Sequence, residues 1–251
     1  MSRLRARCPE CRVNTAVALG DGEYQCHACG REYGAGLVRV ARAWGDGGRD
    51  MEEASLMEIP WPEAAVIDEE TLEAQIERQM RLLPERPLVL GGCCCSHVGA
   101  VRELARRHGR IGVVWFDAHG DLNTPESSPS GNAWGMPLRM LLDAGDVDTR
   151  DVIVLGARNL DPPEVEFIHE RGIRLELDGE LPERLYVAFD ADSVDPDEMD
   201  VFMPEPGGLH LDDLERTLAS LPRPVGAGFS GLVPSERNEE ILARLGHALG
   251  L

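Results

Sequence analysis

Lysine is absent from this chain, and all 25 basic residues are arginine. Schiff-base chemistry and a lysine general base are therefore excluded. Positive charge is scarce overall: 25 basic residues face 45 acidic ones, for a formal net charge of −20. That balance argues against nucleic acid or an anionic membrane surface as a partner. No apolar run is long enough to span a bilayer, and no secretory leader is evident. Internal repeats and low-complexity tails are missing too. The arginine bias is read as genomic composition rather than thermostability, because the general thermophile signal includes lysine.

Seven cysteines stand out against these absences. Cys8, Cys11, Cys26 and Cys29 form CPEC and CHAC, fourteen residues apart. Paired CxxC knuckles at that distance fit a tetrahedral structural zinc site. Two disulfides or a redox CxxC are the alternatives, and the segment lacks the strand–helix setting of a redox motif. A segment this short needs a staple to fold, so residues 1–36 are expected to form a zinc ribbon, with Tyr24 and Tyr33 over the knuckles. Its charge is nearly balanced: Arg3, Arg5, Arg7, Arg12 and Arg31 against Glu10, Asp21, Glu23 and Glu32. That is too little for a nucleic-acid footprint, and a packing or oligomer-contact role is expected instead. The remaining thiols, Cys93, Cys94 and Cys95, are consecutive. Three adjacent thiols suit a reducing compartment, so cytoplasm is expected.

Two further segments carry chemistry. Val113 to Asp121 reads VVWFDAHGD, and Val187 to Pro196 reads VAFDADSVDP. In each, an apolar run ends in carboxylates. Asp117, His119 and Asp121 alternate, as do Asp190 and Asp192, and alternate residues of an extended segment share a side. Adjacent strand ends would aim these groups into one small volume, which is unfavourable unless cations neutralise them. Oxygen ligands with one imidazole suit a pair of divalent metals, which can make water nucleophilic near neutral pH. A lone DxHxD would equally serve as a cap or a turn. The second segment tips the balance towards a metal site.

Around these segments the chain alternates. Helices are expected at Asp68–Leu83, Val98–Arg107, Met136–Leu142, Pro163–Arg171, Leu211–Leu221 and Ser235–Leu249. Strands are expected at Pro87–Gly91, Ile111–Phe116, Val152–Leu155, Leu185–Phe189 and Val225–Phe229, with a weak extended segment at Ile173–Leu177. Gly45–Asp50 is expected to be a loop. The fold class is therefore α/β: three α/β/α layers around a mostly parallel sheet over residues 37–251, with a small N-terminal zinc ribbon. The site of such folds lies beyond the carboxyl ends of the strands.

DAHGDLNTPESSPSGNAWGMPL, FDADSVDP and the intervening GARNLDPPEVEF resemble the arginase–agmatinase (ureohydrolase) family over roughly residues 87–234. The resemblance implies a binuclear manganese site, or another divalent pair, with Asp117, His119, Asp121, Asp190 and Asp192 as ligands. Asp117 and Asp190 would bridge the ions. It also implies a hydroxide between the metals that attacks a guanidinium carbon and releases urea, Asp121 as a proton acceptor, and a homo-oligomer. By motif position Asn123, Ser128, Ser130 and Asp161 match residues that hold the amino-acid end of arginine, and Glu164 one near the substrate ammonium. Together they favour an amino-acid-like substrate over a plain amine.

Three positions depart from the family. Its GGDHS segment supplies a further ligand histidine, and here the segment is GGCCCSH. Cys94 takes that position, a softer ligand that shifts preference towards zinc, cobalt or iron. His97 is the rival ligand, and a buried cysteine without metal contact is the third reading. Trp134 stands where SGNxHG has a histidine thought to shuttle protons, and indole neither ionises nor accepts a proton. It could instead wall a cationic substrate. Finally, Gly231 falls at the position of the glutamate that clamps the guanidinium. Glu236, just beyond, is the candidate substitute or else serves the last helix's N-terminus.

The expected function is hydrolysis of a C–N bond in arginine or a small guanidino or amidino relative. An N-hydroxyguanidine suits a site with no general acid for the leaving nitrogen. A catalytically impaired, metal-binding or regulatory member of the fold, and a hydrolase of another small substrate such as an amide, are the alternatives.

Overall fold

The computed structural model describes residues 5–251. Residues 1–4 of the expected ribbon, Arg3 included, lie outside them. Strands β1 (Ala16–Ala18), β2 (Tyr24–Cys26) and β3 (Glu32–Tyr33) form a small antiparallel sheet. The chain then enters a seven-stranded sheet through β4 (Gly36–Val40) and β5 (Glu63–Ile67), with α1 (Arg49–Ala54) between them. Next come α2 (Leu72–Leu82), β6 (Pro87–Gly91), α3 (Val98–His108), β7 (Gly112–Phe116), α4 (Pro137–Asp143), β8 (Val152–Leu155) and α5 (Pro162–Arg171). The last elements are β9 (Leu185–Asp190), α6 (Leu211–Ser220), β10 (Gly226–Ser230) and α7 (Glu236–Ala248). The sheet order is β5-β4-β6-β10-β9-β7-β8, and every pairing in it is parallel.

Strand alternation splits the core in two. Val114, Phe116, Val187, Phe189 and Phe229 pack with Leu214 and Leu218 of α6 and Ile241, Leu242 and Leu245 of α7. Val113, Trp115, Tyr186 and Ala188 pack with residues of α2, α3, α4 and α5, among them Ile76, Leu104, Leu141 and Phe167. This is the expected three-layer arrangement. No helix among the described residues is long and apolar enough to cross a membrane.

Caps explain the shifted helix starts. The Thr71 side chain accepts from Ala74 N at 3.2 Å, so α2 begins at Leu72 rather than Asp68. Ser235 caps α7 from outside by accepting from Asn238 N at 3.1 Å. The expected loop at Gly45–Asp50 runs into α1 at Arg49. Ile173–Leu177 is no strand: only Arg174 bridges to Ile153, and Leu175 and Leu177 stay exposed. β4 and β5 escaped the sequence pattern because β4 carries a charge in its interior. Arg39 is buried, held by Glu63 at 2.6 Å and by the carbonyls of Ser55 and Met57.

The small sheet sits at the amino ends of the large sheet's strands. Arg7 exchanges backbone hydrogen bonds with Glu63 at the start of β5, Gly36 N donates to Arg86 O next to β6, and Glu23 pairs with Arg223 ahead of β10. Its four cysteines converge, with Cys8 and Cys29 sulfurs 3.9 Å apart and Cys11 and Cys26 likewise. Those separations rule out S–S bonds, which are about 2.05 Å. Tyr33 OH lies 3.2 Å from Cys8 Sγ, and Tyr24 is buried in the same cluster.

Leu104 on α3 is fully buried against the sheet. Leu104→Ala should cost about 2–5 kcal/mol, seen in urea unfolding as a lower midpoint with an unchanged slope. A midpoint within error of the parent would place α3 elsewhere.

Candidate metal centre

Register puts the carboxylates in one row. Phe116 on β7 pairs with Phe189 on β9, and Ser230 on β10 pairs with Asp190. Asp117, just past β7, therefore faces Asp190 at the end of β9. The loop after β7 then turns sharply, with Asp121 in the left-handed region at φ 54°. After β9 a 3₁₀ turn, Ala191–Ser193, is held by Asp192 N donating to Asp190 Oδ1 at 3.1 Å. Ala118 N donates to Asp192 Oδ1 at 2.9 Å, so the loop after β7 holds a ligand side chain of the loop after β9, and His119 N donates to Asp117 Oδ1 at 2.7 Å within its own loop. Trp115 Nε1 donates to Asp117 Oδ2 at 3.1 Å.

Two groups of ligand atoms result, each within 4.8 Å of one another: Cys94, Asp117 and Asp121, and Asp117, His119 and Asp192. Asp117 belongs to both, and Asp190 is hydrogen-bonded to Cys94 at 2.7 Å. His119 is the cluster's only cationic partner among the described residues, its Nδ1 3.0 Å from Asp192 Oδ2 and 3.4 Å from Asp117 Oδ1. Burial and then Asp192 push Asp190 up to about 7. Burial and then Asp117 push Asp192 up to about 6. Burial also raises Asp117 and lifts Asp121 well above the ordinary carboxylate range, with Asp117 and Asp190 adding to the latter. Burial would lower His119, but its bonds to Asp117 and Asp192 win and raise it to about 12. Asp121 Oδ2 is buried with no hydrogen-bond partner. A crowded acidic cluster with an orphaned oxygen is what divalent cations relieve, so these residues fit a two-metal centre.

Of the two rival ligands, Cys94 is the one that faces the cluster. Its sulfur lies 3.7 Å from Asp117 Oδ2 and 3.2 Å from Ser230 Oγ. His97 is buried behind it, with Nδ1 3.0 Å from Tyr186 OH and Nε2 3.1 Å from Ser230 Oγ, and burial pulls it down to about 3. Ser230 links it to Asp190 Oδ2 at 3.3 Å. Gly231 carries φ +71°, and a Cβ there would lie 2.1 Å from Asp190 Oδ1. Glu236 does not replace a side chain at that place: it is exposed in the first turn of α7.

Above the cluster lies a cavity of about 20 Å³ walled by Met51, Trp134, Phe202 and Met203. It adjoins a cleft of about 280 Å³ lined by Asn123, Ser128, Ser130, Asp161 and Glu164. Among the described residues no arginine lines that cleft. Ser128 and Ser130 hydroxyls lie 3.4 Å apart at its exposed rim. Asn123 donates to Asp161 Oδ2 at 2.8 Å and accepts from Ser127 Oγ at 2.9 Å. Both Glu164 oxygens accept backbone N–H groups, from Leu122 and Asp161 at 2.9 Å, so Glu164 braces the loop after β7. Phe202, Met203 and Glu205 escaped the sequence reading. They sit on the Pro/Gly-rich loop before α6, which has no periodicity to mark it. Trp134 stacks edge-on against Phe202, and Glu205 Oε1 lies 3.7 Å from His119 Nε2. Arg158 pins that loop through the carbonyls of Glu205 and Pro206. A larger cavity of about 740 Å³ lies by α3 among Arg102, Arg110, Asp146 and Asp151, where these arginines are already paired with these aspartates.

A family profile described as the Arginase family matches residues 30–183. An arginase of Staphylococcus aureus (strain COL) is 42% identical over 98 residues, 35% of this chain and 32% of that protein. The match thus spans about a third of that relative's length. A crystal structure of arginase from Bacillus subtilis superimposes with a TM-score of 0.74 at 23% identity, covering 85% of this chain and 97% of that one. Formimidoylglutamase from the same species gives 0.67 at 18% identity, covering 86% and 85%. At these identities the two structures bear on the fold.

The raised carboxyls make the cation-free fold pH-sensitive. Asp190 and Asp192 have an ordinary value of 3.8. Between about pH 4 and 7 the folded state therefore holds more protons than the unfolded one, and stability falls as pH rises. His119, raised from 6.5, acts in the same direction above that pH. Bound cations should cancel this loss. Saturating Mn²⁺, at a hundredfold excess over Kd worth about 2.7 kcal/mol, should raise Tm more at pH 7.5 than at pH 5. Equal shifts at the two pH values would count against the cluster as the cation site.

Proposed function

The chain belongs to the arginase family, and on that premise we propose that it hydrolyses a C–N bond in a small guanidino or amidino compound, using two divalent cations, manganese foremost. The observation that carries this is the convergence of Asp117, His119, Asp121, Asp190 and Asp192 at the carboxyl ends of β7 and β9, with Cys94 beside them. The cations, when bound, supply a water acidified enough to attack near neutral pH.

The chain's own residues do the rest. A guanidinium entering the cleft meets the carboxylates of Asp121, Asp161 and Glu164 and, among the described residues, no arginine. Trp134, Phe202 and Met203 keep bulk water from the cluster, and the indole offers a face to a cation. Asn123, Asp161, Ser128 and Ser130 are placed to hold the far end of an amino-acid-like substrate. Asp121, with a free buried oxygen, is placed to accept a proton. Trp134 cannot return one to a leaving amine, which favours a substrate with a weakly basic leaving nitrogen, such as an N-hydroxyguanidine. Asp190's oxygens fill the space beside Gly231, so a side chain cannot fit there without a shift of Asp190.

The second reading is a member that binds metal without turnover, favoured by Trp134 and Gly231. Urea and ammonia release over a panel of guanidino and amidino compounds, with Mn²⁺ present, separates the two. Trp134→His should raise turnover on arginine at least about a hundredfold, the lower end of the 10²–10⁴ typical of a general acid–base group. Asp190→Asn should lose at least one cation and the activity with it. Silence of both the parent and Trp134→His on every compound, with two cations bound, would establish the non-catalytic reading.

The N-terminal cysteines support one structural zinc. Zn–S bonds of about 2.3 Å give a tetrahedron with edges of about 3.8 Å, against sulfur separations of 3.9 Å. The Thr15 hydroxyl and the Cys29 amide lower Cys26 to about 6, ready to ligate as thiolate. We take residues 1–36 as that ribbon, 37–251 as the hydrolase domain and the cytoplasm as the setting.

A further inference from the structure

The two cation positions differ in kind. The inner one gathers Cys94, Asp117 and Asp121, all buried. The outer one gathers Asp117, His119 and Asp192, and the His119 side chain is 24% exposed towards the cleft. The three consecutive cysteines do not share an orientation. Cys93 Sγ meets Arg42 O and Trp44 N, and Cys95 Sγ meets Ala133 O. Only Cys94 turns to the carboxylates, 2.7 Å from Asp190 Oδ2 and 3.7 Å from Asp117 Oδ2. An inert packing cysteine has apolar neighbours around its sulfur, whereas the polar atoms around this one are carboxylate and hydroxyl oxygens. Thiolate favours borderline ions such as Zn²⁺, Co²⁺ and Fe²⁺, while carboxylate with imidazole accepts Mn²⁺.

We propose that the centre is mixed: the inner position, closed by the Cys94 thiolate, selects a borderline ion of the Zn²⁺/Co²⁺ class, and the outer position takes Mn²⁺. This rests on the two-cation reading above. It makes Cys94 a selectivity-determining ligand. The ligands of the position it closes are all buried, whereas the outer group includes the partly exposed His119.

Full-length protein stripped until one zinc per chain remains in the ribbon, verified by elemental analysis, is titrated with Co²⁺ and with equal Co²⁺ and Mn²⁺. Near-ultraviolet thiolate-to-cobalt absorption should grow to one equivalent. Under competition one Co²⁺ and one Mn²⁺ should bind per chain, the manganese counted by electron paramagnetic resonance. C94D should lose that absorption and admit Mn²⁺ to both positions, its inner Co²⁺-over-Mn²⁺ preference falling at least about tenfold. C94S serves as the second variant if C94D does not fold, which circular dichroism and retained ribbon zinc report. The ribbon contributes equally in parent and variants. Two cations bound with the same absorption and the same Co²⁺:Mn²⁺ ratio in parent and variant would overturn the thiolate assignment and leave the two-cation centre standing. No cation bound beyond the ribbon zinc would overturn both.

Discussion

Repulsion among four buried carboxylates is the constraint on which this structure turns. Asp117, Asp121, Asp190 and Asp192 are at most 8% exposed, and the half-open His119 is their only cationic partner among the described residues. A cluster like this is unfavourable in an apolar interior. The surrounding framework holds it in place: two strands paired in register, backbone amides of the loop after β7 that hold the side chains of Asp117 and Asp192, and the indole of Trp115 behind them. The backbone is fixed by sheet and core, so the side chains cannot separate. Protons or cations must relieve them.

The layout around the cluster follows from that need. Parallel strands send their carboxyl ends to one edge, where loops rather than core side chains meet the ligands. The hydroxyl of Ser230 and the ring of His97 form a buried chain behind Cys94 and Asp190 and end on Tyr186. Gly228 leaves room for that chain: a Cβ there would lie 2.7 Å from both His97 Nδ1 and Tyr186 OH. In front, Trp134 and Phe202 cover the cluster with aromatic surface.

Much of this was legible from the chain. Apolar runs marked β6 to β10 because strands buried on both faces read as continuous hydrophobic stretches. The spacing of Asp117, His119 and Asp121, and of Asp190 and Asp192, marked these residues as a group, but they meet through a left-handed turn at Asp121 and a 3₁₀ turn after β9 rather than through extended alternation. β4 and β5 were not legible, because Arg39 interrupts one of them and its compensation by Glu63 and two carbonyls is purely tertiary. Whether Cys94 or His97 faced the cluster depended on how a four-residue 3₁₀ turn is wound, which no periodicity encodes. Glu205 and Phe202 reach the site from a loop of the irregular kind that pattern reading passes over.

Gly231 limits which substitutions the centre can accept. Its left-handed backbone and the carboxylate of Asp190 pressed against it leave no room for even a methyl group. A mutation that placed a side chain at 231 would collide with Asp190. Any side chain there therefore requires Asp190 and the turn behind it to shift. The loop of Phe202 and Met203, whose side chains wall the cavity over the cluster, is free of that restriction.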